Sequence, residues 1–362
     1  CKDVHKRTPL LCSVTSNKTN VVKWLLELGA DVNIPVGLGY NVLTYAAFMF
    51  EEDEENFDPK IIKLLMDAGA DYREAIIGAI KTNNIKLAKL LIKNGADLNA
   101  AYYMDQSPLS IAILNLSNTG DEGLKMIKLF IENGANVNEF LELSENSPER
   151  EDENNMPILT RNITLAISIE SVKCLELLLK NGANPNYVDS KGRTPLIYSV
   201  LTSREMLELL LKYGADPNVG DREGRTPLFL AVIDNDVEDG TIEILLKHGA
   251  NPNIQDSSGY TPLTWAVNNH DKSSEYFIAA LIRTGAVMTE NGADLFGLAF
   301  FFEALKREVQ LETVKTLIKY GADSNIPDKK GITALGWAMM NFDEEILEIF
   351  GKSSRQDVQA KK

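Results

Sequence analysis

The sequence predicts an all-α solenoid, a stack of helix-turn-helix units, and three observations predict it. A Gly-Ala ending recurs at Gly29, Gly69, Gly95, Gly134, Gly182, Gly214, Gly249, Gly285 and Gly321, and seven of these nine run on as Gly-Ala-Asp/Asn-x-Asn or nearly so. Ten helix openings, at Thr8, Asn41, Glu74, Ser107, Ile163, Thr194, Thr226, Thr261, Asp294 and Thr333, stand mostly 31 to 35 residues apart. Between opening and ending, apolar residues fall at helical period. A unit of this size cannot bury its own apolar stripe, so its stable form is a stack of copies.

Residues 189–216 show the unit most clearly. Residues 189–193 form a polar turn in which Gly192 supplies a permissive backbone angle. Thr194 is then an N-cap acceptor and Pro195 a first helical residue. A break near Thr202 and Ser203 ends the first helix. The second carries Met206, Leu207, Leu209, Leu210 and Leu211 as its stripe and stops at Gly214, where a left-handed C-cap is needed.

The turn, the Thr-Pro-Leu opening, the paired helices and the Gly-Ala-Asp-x-Asn ending together resemble the ankyrin repeat, from Lys2 to about Phe350. The resemblance implies an all-α ankyrin-repeat solenoid with projecting β-hairpin fingers, and an extended concave surface that binds partners with the finger tips and the exposed side of each first helix. One departure is consistent along the chain. The family places a histidine after Thr-Pro-Leu, and here that register holds Leu11, Thr44, Ile77, Ser110, Ala166, Ile197, Phe229, Thr264, Gly297 and Gly336. Losing this polar tie implies uneven stability, not a different fold. A hydrogen bond contributes about 1 kcal/mol net, whereas truncating a buried Leu costs about 2–5 kcal/mol.

In chain order, the first unit carries the stripe Val21, Val22, Trp24, Leu25, Leu26 and Leu28. The second opens at Asn41 and inserts the acidic run 51–55 between its helices, read as a solvated loop. The Gly-to-opening distance is 12 residues in six of nine cases, but 5 from Gly69 to Glu74, where the finger is missing, and 29 from Gly134 to Ile163. That long segment holds seven acidic residues from Glu139 to Glu153 against Arg150 and reads as a mobile loop. The expected organisation is one stack over 1–350, with an N-terminal section (1–138), an acidic loop (139–160), a C-terminal section (161–350) and a polar tail (351–362). The units opening at Thr194, Thr226 and Thr261 are the most regular, and the one opening at Asp294 is degenerate.

Charge and motifs narrow the function. With 52 acidic and 37 basic residues the net charge is −15, which argues against nonspecific binding to nucleic acid or acidic membranes. No apolar run of about 18 residues exists, so no transmembrane segment is expected. Among three cysteines, Cys12 and Cys174 read as packed thiols. Cys1 leaves two readings open, a domain excised from a longer protein or a mature bacterial lipoprotein carrying its lipid anchor on Cys1. His5, His248 and His270 are the only histidines, and HExxH, GxSxG and P-loop motifs are absent. No catalytic residue, metal site or cofactor is expected.

The expected activity is therefore a noncatalytic protein–protein interaction module, a scaffold, inhibitor or effector, binding a protein or peptide and monomeric on its own. Alternatives are a lipid-anchored bacterial envelope protein, or the binding region of a larger enzyme whose catalytic domain is elsewhere. A cytoplasmic location is favoured, with envelope or secreted-effector locations as alternatives. Candidate contact residues are the finger cations Lys191, Arg193, Arg222 and Arg225, the finger tyrosines Tyr40, Tyr102, Tyr103 and Tyr260, and Leu201 and Ile233 at the variable first-helix position. At that same position Phe48, Leu114 and Phe301 fall in units with longer helix-to-ending distances, where extra turns are expected to cover them.

Overall fold

The computed structural model describes residues 8–35, 40–52, 57–100, 106–138, 162–189, 191–234, 240–268 and 281. The chain divides into two compact units, Cys1–Asn184 and Pro185–Lys362. Among the described residues the regular structure is helical, with a single bridge residue at Tyr40.

In the first unit the helix pairs are α1 (Pro9–Thr15) with α2 (Thr19–Glu27), α3 (Val42–Glu52) with α4 (Lys60–Asp67), and α5 (Arg73–Lys81) with α6 (Ile85–Lys93). The fourth pair, α7 (Pro108–Leu114) and α9 (Leu124–Glu132), is separated by α8 (Leu116–Thr119) and a 3-10 turn (Gly120–Gly123), and the fifth is α10 (Asn162–Ser168) with α11 (Val172–Lys180). First helices pack on first helices, α1 on α3, α3 on α5, α5 on α7 and α7 on α10, and second helices likewise, α2 on α4, α6 on α9 and α9 on α11. The second unit holds α12 (Pro195–Val200) with α13 (Arg204–Lys212), α14 (Pro227–Ile233) with α15 (Thr241–Lys247), and α16 (Pro262–Asn268); α12 packs on α14 and α14 on α16.

The caps explain the recurring dipeptides. Thr8, Ser107, Thr194 and Thr226 each accept the backbone N–H three residues on, with proline following at the first helical position. Asn41 does the same for Thr44 at 2.9 Å. At the other end, Gly29 adopts φ +81°, its N–H donates to the Leu26 carbonyl at 2.9 Å and the Ala30 N–H reaches back to Leu25 at 3.0 Å. This is the Schellman arrangement, which needs a residue free to take a left-handed conformation. The alanine bond repeats from Ala70 to Leu65, Ala96 to Leu91, Ala135 to Phe130, Ala183 to Leu178, Ala215 to Leu210 and Ala250 to Leu245. These six alanines are buried, so the second residue of the ending must be small and apolar.

Four details differ from the sequence-based expectation. Helix α5 starts at Arg73 with no side-chain cap, so Glu74 lies inside the first turn and does not open it. Helix α10 starts at Asn162, one residue before Ile163. Glu51 and Glu52 extend α3 and are not loop. Cys174 is buried, but Cys12 is exposed on α1 and does not pack. The rest of the acidic run, 53–55, the segment 139–160, the units opening at Asp294 and Thr333, and the tail lie outside the described residues.

Candidate partner-binding face

The fingers of the second unit are built on a repeated aspartate. In residues 189–194, 221–226 and 256–261 the pattern is Asp-x-x-Gly-x-Thr. The Asp N–H donates to the carbonyl four residues on, from Asp189 to Arg193 at 2.9 Å, Asp221 to Arg225 at 3.0 Å and Asp256 to Tyr260 at 2.8 Å. Its carboxylate Oδ1 accepts two more backbone N–H groups. These come from Lys191 and Arg193, both at 2.8 Å, from Glu223 and Arg225 at 3.1 and 2.9 Å, and from Ser258 and Tyr260 at 2.9 and 2.8 Å. Asp189 and Asp221 are buried, and these donors replace the hydrogen bonds to water that a buried carboxylate gives up.

Successive fingers touch through their backbones. The Arg222 N–H meets the Lys191 carbonyl at 3.4 Å and the Ser257 N–H meets the Glu223 carbonyl at 2.7 Å. A Cβ on Gly192, whose φ is +78°, would stand 2.8 Å from the Arg222 nitrogen, so only glycine permits the approach.

The remaining carboxylate oxygen differs between fingers. Tyr198 Oη donates to Asp189 Oδ2 at 2.5 Å, and burial first, this bond second, push the Tyr198 hydroxyl above its ordinary pKa. Arg193 stacks over the same ring, 5.9 Å from its centroid. At Asp221, Oδ2 is taken by Arg225 through Nε at 3.0 Å and Nη2 at 2.7 Å, with Glu223 at 3.1 Å from Nη2. The Asp221 hydrogen bond holds the Arg225 proton more tightly than usual.

The candidate contact residues thus fall into different roles. Arg225 and Arg193 belong to the anchoring of their own fingers, while Arg222 projects as an exposed tip. Lys191 and Tyr260 are half-buried and contribute backbone groups to the turns. Leu201, at the end of α12, is 52% exposed, and Val188, beside the first anchor, is 47% exposed. Ile233 is half-buried at the end of α14. In the first unit Tyr40 stacks edge-to-face with Tyr45 and Phe48, centroids 6.4 and 5.7 Å away, and Phe48 and Leu114 are half-buried. Tyr102, Tyr103, Phe301 and Cys1 lie outside the described residues.

Below the fingers runs a ladder that the repeat pattern alone did not assign. The last Asn of each Gly-Ala-Asp-x-Asn ending spans to the next ending. Asn33 bonds the Gly69 carbonyl and the Asp71 N–H at 3.0 and 2.8 Å, and Asn99 bonds Gly134 and Asn136 at 3.0 and 2.7 Å. Asn138 bonds Gly182 and Asn184 at 2.8 and 2.7 Å, Asn186 bonds Gly214 and Asp216 at 2.9 and 2.7 Å, and Asn218 bonds Gly249 and Asn251 at 3.0 and 2.6 Å. The signal was the recurrence of Asn at one register, and the finger aspartates recur as visibly.

Among the described residues no three His, Cys, Asp or Glu side chains are placed to hold a metal ion, and no helix is long and apolar enough to cross a membrane. Burial pushes the Cys174 thiol up to about 12, so it stays protonated.

Comparison with known proteins places this geometry in a family. The model for ankyrin repeats in triple copies matches residues 43–140, 154–221 and 207–289, and the single ankyrin repeat matches 5–35. Putative ankyrin repeat protein FPV244 of fowlpox virus is 30% identical over 115 residues, 31% of this chain and 16% of that protein. The phosphocholine transferase AnkX of Legionella pneumophila is 30% identical over 95 residues, 25% of this chain and 10% of that protein. The matched stretch therefore spans less than a fifth of the length of either relative. The human ASB11 ankyrin repeat domain superposes with a TM-score of 0.44 at 20% identity, covering 68% of this chain and 100% of that domain. This chain belongs to the ankyrin repeat family, and its repeats mark it as a protein-binding module.

Proposed function

We propose that the chain is a noncatalytic interaction protein that seats a protein or peptide on the fingers and first helices of residues 188–268. The observation that carries this reading is the separation of anchor from tip. Buried Asp189 and Asp221 and half-buried Asp256 fix the three turns, so Arg222 and the serines at 257 and 258 are presented outward without further ordering. A preordered surface loses less conformational entropy on binding. Exposed Leu201 and Val188 give the same face an apolar component beside its charge.

The phosphocholine transferase among the relatives is an enzyme, but only 10% of it is matched here. We assign the shared stretch to repeats, and turnover of phosphocholine donors by the purified chain would overturn this assignment.

The test is a crosslinking pull-down from the source cell with wild type beside Leu201→Asp/Arg222→Glu. Both side chains are exposed and outside the anchors, so melting should not move. A protein enriched by wild type and lost with the variant supports this face. Equal recovery with unchanged melting rejects it.

A further inference from the structure

The outer registers of the second helices change sign along the chain. Nine and six residues before each Gly-Ala glycine stand Lys60 and Lys63 on α4, Lys86 and Lys89 on α6, and Lys125 and Lys128 on α9, all exposed. The same registers hold Lys173 and Glu176 on α11, and exposed Glu205 and Glu208 on α13. Helices α6, α9 and α11 pack in that order. With the turn Gly120–Gly123 they hold seven lysines against four carboxylates, on a chain whose net charge is −15.

Between α9 and α11 this basic face becomes a groove. Lys125 and Lys128 line it from one helix and Lys173 and Lys180 from the other, while half-buried Leu124 and Leu177 supply its apolar part. Among the described residues Glu176 is the one carboxylate in the lining, 2.7 Å from Lys180. The other lysines pair with carboxylates outside the lining, Lys125 with Glu122, Lys128 with Glu132 at 3.7 Å and Lys173 with Asp121. The four lysine side chains are 56–66% exposed, and ion pairs this exposed are weak and readily exchanged.

We propose that this groove docks an acidic segment of a partner protein, with carboxylates on both sides of an apolar side chain. The carboxylates take Lys125, Lys128 and Lys173 from their present partners, and the apolar side chain rests on Leu124 and Leu177. Charge decides the occupant. So acidic a chain repels an extended anionic surface such as a bilayer. A narrow segment meets chiefly the lysines, because charges more than about 8 Å away are screened at physiological salt. The groove lies in the first unit, and the proposal does not depend on the fingers of residues 188–268.

The probe is a fluorescent peptide repeating Glu-Leu-Glu, titrated with the full chain by anisotropy beside the same peptide with serine for leucine. Wild type is expected to bind the leucine peptide several-fold more tightly than the serine peptide, and more weakly as salt rises. Lys125→Glu/Lys128→Glu should weaken binding about tenfold through the loss of two charge pairs. Lys212→Glu/Lys247→Glu changes net charge equally at exposed positions of α13 and α15, and should leave affinity within about twofold of wild type. Asp121→Asn, which releases Lys173, should tighten binding and serves as the check should the first double variant melt early. No binding by wild type at low salt, equal affinity for the two peptides, equal loss in the two double variants, or unchanged affinity in Asp121→Asn would overturn the proposal. So would binding to phosphatidylserine vesicles that Lys125→Glu/Lys128→Glu abolishes and the peptide does not compete for, because the occupant would then be a membrane.

Discussion

Two junctions between successive repeats are tied differently. From Gly214 to Gly249, Asn218 bridges the two endings and the fingers stack through Ser257 and Glu223. From Gly69 to Gly95 there is no finger. Arg73 takes the register of the bridging Asn and pairs with Asp71 of its own turn, and Tyr72 Oη instead accepts the Asp97 N–H at 3.0 Å. On the preceding junction, Asn41 donates to the Asp71 carbonyl at 2.6 Å. Yet α5 packs on α3 and on α7 as other first helices pack on theirs. The difference teaches that helix packing carries the stack, that the Asn bridge sets register, and that a finger serves the surface.

If so, truncations in the helix core should cost the same in both regions. Ile76→Ala in α5 and Leu228→Ala in α14, both fully buried, should each lose about 2–5 kcal/mol by chemical denaturation. A markedly cheaper Ile76→Ala would break the comparison. Next in size, Asp221→Ala removes the carboxylate that two backbone N–H groups and Arg225 share, and about 2 kcal/mol is expected. The same variant should leave α5 and α6 unchanged in hydrogen exchange. Arg225→Glu should also destabilise, whereas Arg222→Glu should not, since Arg222 is an exposed tip.

The ties themselves give smaller effects. Asn218→Ala should cost about 1 kcal/mol, because the groups it bridges are exposed enough for water to replace it. Tyr72→Phe, losing a single bond, should cost less; the reverse order in thermal melting would contradict the assignment of the Asn bridge. The smallest effect is on acid stability. The Thr19 hydroxyl, at 2.7 Å, is the main cause that holds Asp58 below the ordinary carboxylate range, with burial opposing it. A depressed folded pKa adds stability above the unfolded value of about 3.9 and loses it as pH falls through the folded one. Thr19→Val should flatten that acid-side decline slightly, as measured by melting between neutral pH and the acid limit.

Much of the fold was legible because its elements are local. Thr-Pro openings and Gly-Ala endings act within five residues, so sequence alone positions most helices. Where the opening lacked a capping side chain, as at Glu74 and Ile163, the boundary moved by a residue. Cys12 was misread because its register is only partly covered within the stack, where Tyr45, Ile111, Leu230 and Trp265 are half-buried. The candidate face was half legible. Its location on the regular fingers followed from the repeat, but the cations appeared as one basic cluster. Only the geometry separates Arg225, committed to Asp221, and Arg193, committed to Tyr198, from the exposed Arg222. The Asn ladder was visible as a recurrence and was missed because each bonding group lies in the next repeat, a full unit further along the chain.

Amide hydrogen exchange, resolved by residue across the three fingers of the partner-free chain, tests the central claim most directly. If the anchoring aspartates preorder the fingers, the N–H groups of Lys191, Arg193, Glu223, Arg225, Ser258 and Tyr260 exchange well below the unstructured rate, and those of Glu223 and Arg225 lose protection in Asp221→Ala. Exchange at the unstructured rate in the wild type would contradict it, because the fingers would then order only when a partner arrives.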